Sequence, residues 1–110
     1  MIYALDIPIY QTRVYVCDSE KEQPSPDFDK DCGTVAASVW HKDGAVYMTY
    51  RPEDLTLGIL AHECLHITHH IFEMKGIVAD VMHDEHTAYL MEFIFANLVK
   101  VLRLGGTKND

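Results

Sequence analysis

The sequence predicts an α+β fold, a small antiparallel sheet packed on two long helices. Three observations carry that expectation. β-branched and aromatic residues crowd the first half of the chain, and an Asp-Gly pair at 43–44 divides two such runs. The second half holds two long helix-forming stretches separated at Gly76.

Each element has its own signal. Residues 7–17, IPIYQTRVYVC, are rich in β-prone side chains, and RVYVC alternates as a half-buried strand does. Residues 18–33, DSEKEQPSPDFDKDCG, are charged and contain proline, so they read as a loop with at most one helical turn. From 34 to 50, two β-prone runs flank His41-Lys42-Asp43-Gly44. Asp-Gly supplies the positive φ angles that a tight hairpin turn requires. Pro52-Glu53-Asp54 opens a helix over about 53–75, since proline is tolerated in a first turn and acids there meet the positive end of the helix dipole. Gly76 is its natural C-cap. IVADVMHD is a short connector, and a second helix over about 84–104 ends at Gly105-Gly106, leaving TKND as a frayed tail.

Composition bounds the function. With 110 residues, 1–110 is expected to be one minimal domain, long enough to bury a core but with little to spare. The net charge of −8 argues against nucleic acid and anionic membranes as partners. MIYALDIPIYQTR has no basic leader and is broken by Asp6 and Pro8, so it does not read as a signal peptide. No apolar run approaches the roughly 18 residues of a membrane span. Cys17, Cys32 and Cys64 are odd in number and lack CxxC spacing, which fits reduced thiols in a cytoplasmic protein.

The chemistry concentrates in HECLHITHH, residues 62–70. His62 and His66 are four apart on a helix, rotated by only ~40° from each other, so two imidazoles can reach one metal ion. Tetrahedral zinc accepts such nitrogens at ~2.0–2.1 Å. Glu63 lies at the edge of the same face, where it can take a proton from water without occupying a ligand position. A third ligand is needed. The metzincin pattern fails, because its glycine and histidine slots hold His69 and Phe72. Glu85, on the second helix, is the alternative. The neighbouring Asp84 points ~100° away and shares its face with the apolar Ala88, Met91 and Phe95. Glu85 shares its face with Ala88, Tyr89 and Glu92, which favours Glu85 as the ligand.

HECLH, followed by KGI and then DEHTAYL, resembles the small gluzincin-type zinc metallopeptidase domains, including compact versions known from phages and prophages. The resemblance covers roughly residues 34–104. It implies a zincin-like fold and a zinc-dependent peptidase acting on a peptide or protein substrate. Zn2+ would be bound by His62, His66 and Glu85, with Glu63 as the catalytic base. One position departs from the pattern. Many gluzincins carry an aspartate four residues after the ligand glutamate, to orient a zinc-binding histidine, and here that residue is Tyr89. Its hydroxyl either accepts a hydrogen bond from an imidazole or faces the substrate and stabilises an oxyanion. Strand 45–50 is expected at a sheet edge beside the cleft, where an extended peptide could pair with it.

Other conspicuous residues have plainer readings. His69 suits a pocket rim, His70 and His83 the surface, and His86 a direction away from the metal. Glu92 is either a carboxylate orienting a histidine or a solvated acid. Cys64 is a small buried hydrophobe, and Trp40 and Tyr47 pack across the hairpin. YLMEFIFANLVKVL is apolar around most of its circumference, which implies burial on several sides, a homodimer face being one way to achieve it. The rival to an enzyme is a non-catalytic zinc-containing interaction module. Such structural sites usually close with four protein ligands, whereas this chain offers three.

Overall fold

The computed structural model describes residues 2–18 and 36–103. They form strands β1 (Ile2–Ile7), β2 (Thr12–Asp18), β3 (Ala37–Lys42) and β4 (Ala45–Tyr50), then helices α1 (Leu57–Lys75) and α2 (Glu85–Leu102). The class is α+β. Backbone contacts divide the chain into two units, Met1–Leu55 with the sheet and Thr56–Asp110 with the helices. The loop expected over 18–33 begins as the last residue of β2; the rest of it, and Gly105-Gly106 with the tail, lie outside the described residues.

The sheet runs in the order β1-β2-β4-β3 and is mixed. β1 pairs antiparallel with β2, β2 parallel with β4, and β4 antiparallel with β3. This corrects the expectation of a small antiparallel sheet. The missed strand is β1, whose alternation is plain in retrospect: Leu5 and Ile7 are buried while Ala4 and Asp6 are exposed. The single β-prone run read over 7–17 is interrupted. Pro8 opens a 3-10 turn, Gln11 takes a left-handed φ of 52°, and the chain reverses to pair Ile7 with Thr12.

The β3–β4 hairpin forms where expected. Asp43 and Gly44 both have positive φ, 53° and 84°, as a two-residue type I′ turn requires. The Thr12 hydroxyl donates to the Gly44 carbonyl at 2.7 Å and ties this turn to β2. Tyr47 stacks against Trp40 at 5.8 Å and against Tyr15 at 5.5 Å, so the aromatic pair foreseen in the hairpin extends onto a third strand. The position of β4 overturns one expectation. Arg13–Asp18 pairs in register with Ala45–Tyr50, so β4 has partners on both sides. It is an interior strand and offers no free edge for a peptide; among the described strands the edges are β1 and β3.

In the second unit α1 starts at Leu57, four residues later than the acids at 53–54 suggested. Pro52–Asp54 forms a turn instead, closed by the Asp54 amide donating to the Arg51 carbonyl at 3.0 Å and by an Arg51–Asp54 ion pair. Thr56 is the cap, its hydroxyl accepting from the Ile59 amide at 3.1 Å. Leu60, Cys64, Ile67 and Ile71 recur at helical spacing and are fully buried. Gly76 stops the helix in the left-handed conformation, φ 72°, and the Ile77 amide donates to Phe72. Nothing lies within 4 Å of where a Gly76 Cβ would stand. Gly76→Ala therefore tests conformation alone. It is expected to cost about 1–2 kcal/mol in thermal or urea unfolding, and Gly76→Asn less.

α2 packs against α1. It ends at Leu102, where Arg103 adopts φ 59°, ahead of the glycines at 105–106. Its fully buried residues are Leu90, Ile94 and Leu98, a single stripe. Tyr89 and Phe93 are exposed, so the apolar circumference is not buried on several sides within the chain. No described helix is long and apolar enough to cross a membrane.

Candidate metal centre

α1 sorts its residues by direction. His62, His66 and His69 are exposed, while Cys64, Ile67 and Thr68 are buried. The Nε2 atoms of His62 and His66 approach to 3.1 Å, with ring centroids 4.7 Å apart and planes at 76°. Two ligands of one tetrahedral ion at ~2.0–2.1 Å have nitrogens roughly 3.3 Å apart, close to the separation found here. The distance also suits a hydrogen bond from one neutral ring to the other.

Glu63 is 9% exposed. Burial raises its carboxyl above the ordinary range, and the adjacent His62 and His66 imidazoles pull it partly back. Cys64 is fully buried, and burial with the Glu63 charge pushes its thiol up to about 12. It is a packing residue. Cys17 is likewise a buried thiol, and Cys32 lies outside the described residues.

Glu85 opens α2 and is exposed. Among the described residues it does not join His62 and His66 in a group whose ligand atoms all lie within 4.8 Å. The helix contact explains why. His86, next to Glu85, sets its ring 5.4 Å from that of Phe72. Phe72 is six residues beyond His66, ~9 Å along the helix axis. The first turn of α2 therefore packs beside the last turns of α1. The His86 ring, expected to turn away from the metal, spends itself on Phe72. Helices joined by a short connector run antiparallel, so Glu92, ~10 Å further along α2, lies nearer the level of the histidines. Glu92 is exposed, as is Tyr89. No hydrogen bond joins the Tyr89 hydroxyl to either imidazole among the described residues, and its side chain is open to solvent at 66% exposure.

A second pair of ligand-type side chains involves His70, expected at the surface but half-buried. His70 and Glu73, one turn apart on α1, bring ligand atoms within 4.8 Å of each other. Their i,i+3 spacing was the available signal. α1 thus carries side chains that could hold a metal ion. His83 is engaged elsewhere, its Nδ1 3.1 Å from the Asp80 carboxylate.

No family model, curated protein or solved structure matches this chain.

Proposed function

We propose that the chain is a zinc-dependent peptide-bond hydrolase of the gluzincin type. The observation that carries this reading is the exposed His62–His66 nitrogen pair at 3.1 Å with the buried carboxylate of Glu63 beside it. His62 and His66 would hold the ion, and Glu85 is assigned the third position. When bound, zinc supplies Lewis-acid activation of water and of the scissile carbonyl. Glu63 takes the proton from the attacking water and delivers it to the leaving amine. Its burial suits that task, because burial raises the carboxyl's affinity for the proton that it must take from water. Tyr89, with its hydroxyl free to face a substrate, donates to the carbonyl oxygen as negative charge develops there.

The non-catalytic zinc-containing module is kept as a second reading for one reason: the two histidines are gathered and exposed, and no carboxylate completes the set within 4.8 Å among the described residues. Metal analysis of the purified protein, with cleavage assayed on a mixed peptide library, separates the two. Stoichiometric zinc with cleavage supports the hydrolase, and zinc without cleavage supports the module. The third ligand has its own test. Glu85→Ala is expected to weaken zinc binding sharply and Asp84→Ala only slightly, measured by competition with a chromophoric chelator. The reverse ranking removes Glu85 from the ligand set.

A further inference from the structure

Large apolar side chains are exposed unevenly. Of the eight that the described residues expose, five fall between positions 78 and 93: Val78, Val81, Met82, Tyr89 and Phe93. The three on the connector between the helices are the extreme cases of this stretch, at 83%, 86% and 79% exposure. These side chains follow one another along the connector and the first half of α2, and exposed apolar side chains gathered in one stretch suit the binding of another molecule. The connector also has a defined shape. Asp80 accepts from the Met82 amide at 2.9 Å and from the His83 ring at 3.1 Å, and the His83 amide donates to the Asp80 carbonyl at 3.0 Å. Its apolar tips are therefore presented on a formed turn, which lowers the ordering cost of docking.

Charge narrows the occupant. Between Lys75 and Lys100 the chain has no lysine or arginine, while the exposed acids Asp80, Asp84 and Glu92 are interspersed with the apolar residues. An anionic membrane surface would be repelled by these carboxylates. A second copy of the chain that met this face with its own would bring the same carboxylates and no lysine or arginine to meet them. A polypeptide with apolar side chains interspersed with Lys or Arg satisfies both features at once.

We propose that the connector 77–84 and the adjoining exposed face of α2 form a docking surface for apolar, basic polypeptide segments. Resting on the hydrolase reading, this is also the substrate class: peptides of mixed apolar and cationic character. The docking itself does not need that reading.

The test uses the full chain carrying Glu63→Gln, so that binding is read without turnover. Fluorescence anisotropy compares two labelled synthetic peptides of equal length, one alternating Leu and Lys, the other alternating Leu and Glu. The Leu/Lys peptide is expected to bind, more weakly as salt rises, and the Leu/Glu peptide not to bind. A triple Val78→Ser, Val81→Ser, Met82→Ser change should lower affinity about tenfold or more, while leucine at the same three positions should retain it. These side chains are exposed, so melting temperatures should stay close to the parent's. Equal binding of both peptides overturns the proposal. So does unchanged affinity in the serine variant, or binding to phosphatidylserine-containing vesicles in place of the peptide. If the peptide binds but zinc-loaded protein with Glu63 intact cleaves nothing, the hydrolase reading falls and the docking surface stands. If peptides are cleaved without regard to charge or to the serine changes, the docking surface falls and the hydrolase stands.

Discussion

Glu63→Gln is expected to keep the fold and the metal while lowering peptide hydrolysis by roughly 10²–10⁴-fold, the range associated with a lost general base. The argument rests on the residue's surroundings. Glu63 is nearly buried on α1, next to His62 and one turn from His66, so its side chain has little room. Glutamine fills that room almost identically, and packing around Leu60, Cys64 and Ile67 should be undisturbed. What changes is proton chemistry. The amide cannot accept a proton from water, nor hand one to a departing amine. Zinc content by elemental analysis should therefore match the parent, and only the rate should collapse. Equal rates for the two proteins would show that Glu63 is not the base. Loss of zinc along with activity would show that Glu63 is a ligand instead.

How much of this could be read from the chain depended on the range of the interactions. Local chemistry was legible. The Asp43-Gly44 turn, the Gly76 cap and the one-face placement of His62 and His66 are each dictated by a few neighbouring residues, and each is found. The start of α1 was misjudged because Pro52-Glu53-Asp54 satisfies two local rules at once. A turn closed by the Asp54 amide, with its Arg51 ion pair, competed with the first helical turn and prevailed, leaving Thr56 to cap. Non-local pairing was the larger gap. Nothing in AVYMTY shows that Arg13–Asp18 will add on its open side, so the strand taken for an edge became interior. The level of the third ligand is likewise a non-local matter. Helical periodicity says which side chains share the face of Glu85, but the level at which α2 meets α1 is set by contacts such as Phe72 against His86.

Removing His66 should abolish the response of the protein to zinc. With His62, His66 and Glu85 as ligands, His66→Ala leaves two protein groups, which rarely hold zinc. Thermal unfolding reads this independently of any peptidase assay. A metal that binds only the folded chain stabilises it by ~2.7 kcal/mol at a free concentration 100 times its dissociation constant, which raises the melting temperature by about 10 °C. That rise should appear in the parent protein, vanish on adding a chelator, and be absent from His66→Ala. The side chain is exposed, so alanine there should not itself unfold the helix. His70→Ala is the decisive companion, because His70 and Glu73 are the other ligand-type pair on α1. If His70→Ala keeps the zinc-dependent rise and His66→Ala loses it, the metal belongs to the HExxH pair. If the pattern is inverted, the ion sits one to two turns further along the helix, beyond the reach of Glu63, and a hydrolase built on that carboxylate is untenable.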